Sequence, residues 1–516
     1  MSKGKILWAD DEIDLLKPQL FFLTKKGYQV IEVTNGYDAI DMLKENDDID
    51  CVFLDESMPG ITGLETLEKI RVNNGTIPVV MITKNEAEDL MEQAIGSQIN
   101  DYLIKPVNPN QILLSLKKIM DNRRLVSEKT ASDYQQEFRS ISLDIQSGLD
   151  KKDWVDLYRR IIGWELKLDD SDNEQLKGIL DMQKKEANAE FSKYVAKNYK
   201  EWIDDTDQVF SQNLLRKYMF PNLEAEKPNF LVLFDNLRLD QWKIIEPVIT
   251  DLFKIREELD FFSILPTATQ YSRNAIFAGM MPSEIQKNFP DYWLNDNQPG
   301  GKNQFEKELL EKQINRTLSD NIKWDYYKIR NNNDAKNLQD NIHNCINNKL
   351  TVIVYNFIDM LSHARTEMEV LKELASDEKA YRSLTLSWFM NSPIWNSLQI
   401  IAEKDIRLFI TTDHGTIRVN QPSRVIADRE TSTNLRYKVG KNLRYEDGDI
   451  MWMDDPHAYG LPKPNISSKF IFAKQDYFFL YPNNYNKYNR MYTDTFQHGG
   501  ISMEEIICPF IILDSK

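Results

Sequence analysis

The sequence predicts an α/β protein in three parts: a doubly wound five-stranded domain over residues 1–120, a helical bundle connector over 121–225, and a second α/β domain over 226–516 with a lid inserted at about 416–497. Three observations lead there. Short apolar runs alternate with amphipathic stretches at the front of the chain. No strand-like run occurs in the middle. Strand-like runs then return and carry acids and histidines at their ends.

In the first part KILWA, YQVIEV, CVFLD, IPVVMIT and DYLIKP read as strands. Between them DLLKPQLFFLTKKG, GYDAIDMLKEN, GLETLEKIRVNN and AEDLMEQAIG have helical spacing, and NQILLSLKKIM follows the last. Strands alternating with helices make a parallel sheet covered on both faces. In the connector, DYQQEFRSISLDIQSGL, WVDLYRRIIGWELKL, EQLKGILDMQKKEANAEFSKYVAKNYKEWI and QVFSQNLLRKYMF place apolar residues three and four apart, the period of a helix. In the third part NFLVLFD, FFSIL, TVIVYNF and RLFITTD read as strands, and KFIFA and YFFLY follow after a long interval. The stretch from Thr416 to Gln497 is rich in Asn, Tyr, Arg and Lys and reads as an insertion over the domain rather than as sheet core.

A chain of 516 residues exceeds one ordinary domain. No run approaches the roughly 18 apolar residues that span a bilayer, so no membrane insertion is expected. MSKGKILWADDE lacks the features of a signal peptide, and Cys51, Cys345 and Cys508 are scattered without a CxxC, so a reducing cytoplasm is expected. The formal net charge of −16 argues against duplex DNA as a partner, because such binding draws its affinity from neutralised phosphates. No helix-turn-helix is evident.

Acids stand at strand ends in the first part. Asp10 and Asp11 follow ILWA, Asp55 follows CVFL, Thr83 follows VVMI, and Lys105 follows DYLI. In a doubly wound sheet the ligand site lies outside the carboxyl ends of the strands. Three carboxylates there suit Mg²⁺, and a lysine with a hydroxyl suits phosphoryl oxygens. The ordered set DD, D-x-x-M-P-G, T and K-P resembles the receiver domain of bacterial two-component response regulators. That resemblance implies that Asp55 accepts phosphate from a sensor histidine kinase. It implies that Asp10 and Asp11 hold Mg²⁺ together with Asp55, that Thr83 and Lys105 sense the phosphoryl group, and that Tyr102 is an aromatic switch.

The third part concentrates the histidines, of which the chain has five. His363 lies four residues after Asp359 in YNFIDMLSH, one helical turn apart, where both can share a metal. Asp413 and His414 end LFITTDH, His498 sits in FQHGG, and Asp235 ends LVLFD. Thr269 lies in LPTATQYSR just past another strand. Imidazole mixed with carboxylate favours Zn²⁺ or a similar transition metal such as Mn²⁺, and six such ligands suffice for two ions. Two ions suit in-line phosphoryl displacement.

The order D, T, D-x-x-x-H, D-H-G, H-G-G resembles the alkaline phosphatase superfamily, and LPTATQYSR with TDHG is most similar to its PglZ domains. The resemblance implies an alkaline-phosphatase-like α/β domain with Thr269 as nucleophile. It implies one metal on Asp235, Asp413 and His414, which activates Thr269, and a second on Asp359, His363 and His498. Thr267 is the alternative nucleophile. Arg273 and Asn274 are expected to contact the substrate phosphate. No counterpart of the extra arginine and Mg²⁺ site of the monoester-cleaving enzymes can be placed, which favours diesters. His343 reads as helix surface. His457 and the lid residues Arg424, Arg429, Arg436, Tyr437, Lys441 and Arg444 are candidates for gripping phosphates and stacking bases.

A receiver, a helical connector and a PglZ domain together resemble the PorX-type response regulators of Bacteroidetes. The resemblance implies a zinc-dependent phosphodiesterase acting on nucleotides or oligonucleotides and controlled by Asp55. It also implies a homodimer on phosphorylation, contacts with a sigma factor and a secretion-system component, and regulation of type IX secretion. The competing expectation is a non-catalytic adaptor whose zinc domain is structural.

Overall fold

The computed structural model describes the chain except residues 1–2, 47, 75–76, 85–98, 170, 172, 319–321, 428–431, 446–447 and 449, and except the side chains of 73, 120–128 and 369. The expected helix AEDLMEQAIG and Arg429 fall outside the described residues. The chain divides into two compact units, Met1–Gln136 and Glu137–Lys516.

The first unit holds a five-stranded parallel sheet of β1 (Gly4–Ala9), β2 (Tyr28–Val33), β3 (Cys51–Asp55), β4 (Val79–Thr83) and β5 (Asp101–Ile104), in the order β2-β1-β3-β4-β5. Side chains alternate across a strand, and the core accordingly splits into two layers. Ile6, Trp8, Phe53, Val80 and Ile82 face one side, with Leu20 and Leu23 of helix α1 (Lys17–Lys25). Leu7, Ala9, Val52, Leu54, Val79 and Met81 face the other, with Ala39 of α2 (Gly36–Glu45) and Leu67 and Ile70 of α3 (Gly63–Asn73). Thr62 and Glu65 form a reciprocal cap that starts α3. The domain is a CheY-like receiver fold, as its alternating pattern predicts.

In the second unit the connector comprises the end of α4 (Pro109–Ser147), then α5 (Lys151–Asp169) and α6 (Glu174–Asp204). QVFSQNLLRKYMF, expected as helix, forms only short turns at Ser211–Asn213, Leu215–Met219 and Phe220–Asn222. The connector helices are not free-standing. Arg159 pairs with Asp260 at 2.8 Å, and the Trp202 and Phe262 rings pack with centroids 5.2 Å apart.

The main sheet of this unit has six strands in the order β7-β18-β10-β6-β9-β8. These are β6 (Asn229–Phe234), β7 (Phe253–Phe262), β8 (Trp324–Ile329), β9 (Leu350–Tyr355), β10 (Arg407–Thr412) and β18 (Ile507–Ser515). β8, β9, β6 and β10 run parallel, and β18 runs antiparallel between β10 and β7. Continuous apolar runs such as FLVLF and LTVIVY suit strands buried on both faces. β7 begins at Phe253, well before the expected FFSIL, and its early residues are polar because it lies at the sheet edge. β8 and β18 were not expected as strands. WDYYKI alternates weakly, and ICPFIILD carries a proline, which reads as a break.

The lid region forms three small sheets. β11 (Ile417–Val419) pairs β17 (Thr495–Gln497), β12 (Gln421–Arg424) pairs β16 (Tyr477–Leu480), and β15 (Lys469–Ala473) lies between β13 (Tyr437–Gly440) and β14 (Ile450–Met453). Among the described residues none of these strands joins the six-stranded sheet. KFIFA and YFFLY therefore build the lid's own apolar clusters instead of the main core.

Candidate active site

Register brings the site together. Phe234 stands opposite both Tyr355 and Thr412, so β6, β9 and β10 end at one edge of the sheet. Asp235, Asp359 and Asp413-His414 emerge there. β18 starts at that same edge beside Phe262, the last residue of β7. The segment before β18 delivers His498, and the segment after β7 delivers Thr269 at the start of α7 (Thr269–Ala278). Asp359 and His363 lie on a helix that follows β9, Phe357–Glu367.

Two trios result. In each of Asp235/Asp413/His414 and Asp359/His363/His498, one ligand atom per residue lies within 4.8 Å of the others. The trios adjoin: the His414 and His498 rings stack with centroids 4.3 Å apart. Thr269 Oγ1 donates to Asp235 Oδ1 at 3.3 Å and lies 3.2 Å from His414 Nε2.

Backbone carbonyls set both buried imidazoles. His414 Nδ1 lies 3.0 Å from the Gly415 oxygen, and His498 Nδ1 lies 3.2 Å from the Thr267 oxygen. Each Nδ1 donates there, which leaves each Nε2 lone pair facing the carboxylates, the arrangement that orients histidine ligands. Gly415 allows this turn, because a Cβ would stand 2.0 Å from the Glu504 carbonyl. His363 is more exposed, with Nε2 3.5 Å from Asp359 Oδ1.

The donor set fits divalent cations of the Zn²⁺ type. Asp413 Oδ2 is buried and has no hydrogen-bond donor. Burial, reinforced by the charge on Asp235, pushes Asp359 up to about 6. Burial also raises Asp413 and, with His414 adjacent, holds His498 well below the usual imidazole range. These are groups that a bound cation would stabilise in their ligating forms.

Arg273 and Asn274 require correction. Arg273 is fully buried and does not face a cleft. Its Nη2 donates to Asp235 Oδ2 at 2.9 Å, its Nη1 donates to Asn356 at 3.1 Å, and its Nε lies 3.0 Å from Glu306 and 3.4 Å from Asp413 Oδ2. It holds the first trio from behind. Asn274 is also buried, donating to the carbonyls of Gln270 and Lys302. The side chain facing both Asp235 and His414 is Thr269, because Thr267 Oγ1 is occupied between the Gly500 carbonyl and the Gly499 N–H. Arg436 is buried against Glu505 at 2.6 Å, so it ties the lid to the segment before β18, and Tyr437 is buried too. Arg424, Lys441, Arg444, His343 and His457 are exposed and outside both trios.

Two residues escaped the sequence reading. Asn236 takes a positive φ of 68°. Its N–H reaches Asp413 Oδ1 at 3.2 Å while its amide approaches Asp359 at 3.5 Å, so it bridges the trios. An asparagine directly after a strand-end aspartate is the available signal, because asparagine tolerates that backbone region. Glu306, on a helix at Glu306–Thr317, had no local signal. It takes Arg273 on one oxygen and Lys328, at 2.9 Å, on the other.

The first unit gathers Asp10, Asp11 and Asp55 in the same manner, their ligand atoms within 4.8 Å of one another. Lys105 Nζ lies 2.9 Å from both Asp10 Oδ2 and Asp55 Oδ2, and Asp55 Oδ1 is buried without a donor. Burial raises the Asp55 carboxyl despite Lys105. This oxygen set fits Mg²⁺. Thr83 is buried at the end of β4, and Tyr102 of β5 packs partly into the core.

Comparison with known proteins agrees with this reading of the fold. Residues 6–117 match the response regulator receiver domain, 124–203 the PorX response regulator linker domain, and 214–513 the BREX system PglZ alkaline phosphatase-like domain. The alginate biosynthesis transcriptional regulatory protein AlgB of Pseudomonas syringae pv. tomato is 32% identical over 124 residues, 24% of this chain and 28% of that protein. The transcriptional regulatory protein SrrA of Staphylococcus aureus is 24% identical over 144 residues, 27% of this chain and 59% of that protein. A CheY-like receiver structure from Methanospirillum hungatei aligns at 25% identity and a TM-score of 0.23, over 23% of this chain and 96% of that one. Among the described residues no helix is long and apolar enough to cross a membrane. With its PglZ domain spanning more than half of its length behind a receiver and a PorX linker, the chain belongs to the PglZ family and is a two-component response regulator of PorX-type architecture.

Proposed function

We propose that the chain is a metal-dependent phosphodiesterase whose activity is set by phosphorylation of Asp55, with nucleotides or oligonucleotides as substrates. The observation that carries this reading is Thr269 Oγ1 within 3.3 Å of Asp235 Oδ1 and 3.2 Å of His414 Nε2, with a second acid–histidine trio alongside. Asp235, Asp413 and His414 would hold one Zn²⁺ or Mn²⁺, and Asp359, His363 and His498 the other. When bound, the two cations supply positive charge and Lewis acidity to the attacking and leaving oxygens of a phosphoryl transfer.

The chain's own groups do the rest. Asp235 Oδ1 takes the Thr269 hydroxyl proton as Oγ1 closes on phosphorus. The bond from phosphorus to the leaving alkoxide breaks, the alkoxide takes a proton from solvent water, and a phosphothreonine ester remains. In the second step a water oxygen bonds phosphorus and releases a proton to solvent, the bond from phosphorus to Thr269 Oγ1 breaks, and the proton held by Asp235 returns to Thr269. Thr269 opens α7, whose first turn no side chain caps, so the positive end of the helix faces the phosphate. Arg273 and Asn236 hold the acids and do not touch substrate.

In the first unit Asp10 and Asp11 would hold Mg²⁺ while a sensor histidine kinase phosphorylates Asp55. Lys105 and Thr83 would bind the phosphoryl oxygens, and Tyr102 would report the change. On the same basis we place the chain in the cytoplasm as a homodimer when phosphorylated. We expect it to contact a sigma factor and a secretion-system component and to control type IX secretion. The match of residues 124–203 to the PorX linker supports that placement.

The test is hydrolysis of a small chromogenic phosphodiester by the zinc-loaded chain, with and without beryllofluoride at Asp55. Thr269→Ala should lower turnover on the order of 10⁶-fold, as loss of a nucleophile does, and leave zinc content and Asp55 phosphorylation intact. Full activity in that variant would end the threonine mechanism. A wild-type chain with both metals bound and no turnover in either state would leave an adaptor.

A further inference from the structure

The second trio opens into a cleft of about 430 Å³ whose lining includes His363, His498, Lys302 and Tyr492 together with the acids Asp296 and Glu367. That volume is at the small end for ligand sites, about 300–1,000 Å³. A strand of several nucleotides must therefore leave the cleft over its rim. Met491 and Tyr492 make part of that rim, and both belong to a short helix, Tyr485–Tyr492.

None of the residues of this helix is fully buried. Tyr488 and Tyr492 stack with centroids 6.0 Å apart and planes 11° from parallel. Tyr485 and Tyr492 pack onto the apolar cluster of Ile417, Val419, Phe478 and Leu480, which anchors the helix. Tyr488 and Met491 stay exposed. At 100° per residue, Arg490, Lys487, Met491 and Tyr488 follow one another around the outer arc, so both cations lie on one side of Met491 and Tyr488 on the other. Arg424 lies over the Tyr485 ring at 5.1 Å and Lys487 over Tyr488 at 5.8 Å. No acid occurs from Tyr477 to Thr493 in a chain of net charge −16. Cations beside exposed tyrosine faces are what single-stranded nucleic acid binds, by backbone attraction and base stacking.

We propose that the helix Tyr485–Tyr492 is a landing surface for single-stranded nucleic acid, leading the strand from the metal cleft across Tyr492 and Tyr488 with its phosphates against Lys487, Arg490 and Arg424. This rests on the phosphodiesterase reading and narrows its substrate to linear strands longer than a dinucleotide. The occupant follows from the charge and from continuity with the cleft. A duplex would not present its base faces to Tyr488.

The experiment uses the full zinc-loaded chain carrying Thr269→Ala, so that strands are held and not cut. Fluorescence anisotropy is read with a labelled 12-nucleotide single strand, the same strand in duplex, and a labelled dinucleotide. The single strand should bind tightest. Tyr488→Ala should weaken it about tenfold, the effect of losing one stacked base. Lys487→Ala with Arg490→Ala should flatten the salt dependence by roughly 1.4 log units per log unit of salt, about 0.7 for each phosphate contact. These side chains are exposed, so the fold does not depend on them. Equal binding by all variants, equal binding of duplex, or a 12-nucleotide strand bound no better than the dinucleotide overturns the proposal. Turnover of the small chromogenic diester by the wild-type chain separates the two readings. Turnover with strand binding indifferent to the helix sinks this inference alone. Intact strand binding without turnover sinks the phosphodiesterase alone.

Discussion

Arg273 shows how a single side chain organises the site. One guanidinium meets Asp235, Asp413 and Glu306 with no exposed surface. Removing one partner of such a buried set leaves uncompensated charge, at a cost of about 3–5 kcal/mol. Arg273→Met should lower the unfolding free energy by that amount and weaken zinc binding, and an unchanged denaturant midpoint with full zinc content would refute its positioning role. Lys438 is a contrasting case. It is buried, donates to the Ser432 carbonyl at 3.1 Å, and sits over the Tyr481 ring at 4.6 Å. Burial lowers its pKa from 10.5 to about 7. Between those values the unfolded chain holds a proton that the folded chain has shed, so stability rises with pH across the window. Below about 7 the ammonium is charged in both states and the full burial cost is felt. Lys438→Met should remove this slope, up to about 1.4 kcal/mol per pH unit. Parallel stability curves for the two proteins from pH 7 upward would contradict the assignment.

Among the elements, helix α6 decides most. Ser192 donates to the Ile501 carbonyl at 3.1 Å, and Asn188 donates to Glu504 at 2.9 Å, both next to the loop of His498. The Leu265 N–H donates to the Tyr199 hydroxyl at 2.7 Å, next to the loop of Thr269. Arg382 ties Asp169 at the end of α5 to Asp240 at the start of the helix after Asp235, at 2.8 and 3.0 Å. The connector is therefore part of the scaffold of the site. A chain beginning at residue 137 should fold with a cooperative thermal transition. One beginning at residue 206 should not, because it exposes the surfaces that Tyr199, Trp202 and Phe191 cover. Circular dichroism melts of the two would decide. An equally cooperative melt from the shorter chain would make the connector dispensable. The helical period of α5 and α6 was legible because it repeats over many turns. The turns at residues 211–222 were not, since a short apolar stretch fits several geometries.

At the scale of the whole molecule, three buried or half-buried carboxylates in the second unit converge with two stacked histidines. Cation binding and folding of that unit are then linked. Each site held at a hundredfold its dissociation constant adds about 2.7 kcal/mol. Chelation should lower the melting temperature of the second unit by several degrees, and zinc should restore it. Asp359→Asn should retain one zinc equivalent where the wild-type chain holds two. A melting temperature indifferent to chelator would argue against resident metals. The net charge of −16 is unevenly spread, as the acid-free segment from Tyr477 to Thr493 shows.

What the sequence determined by itself is what depends on local period and on motif order. Alternating runs specify the receiver fold, and DD, D-x-x-M-P-G, T and K-P mark its pocket because each acid sits directly at a strand end. Asp235, Asp413 and His414 were legible for the same reason, each directly at a strand end, and Thr269, Asp359, His363 and His498 through the order and spacing of their motifs. Tertiary structure decided what depends on register and burial. Only the alignment of Phe234 with Tyr355 and Thr412 brings these side chains within 4.8 Å in two trios. Only burial turns Arg273 from an expected phosphate contact into the brace behind Asp235 and Asp413, and Arg436 from a lid cation into the partner of Glu505. A charged residue reads the same in sequence whether it meets solvent or three carboxylates, because its partners come from strands and helices far away along the chain.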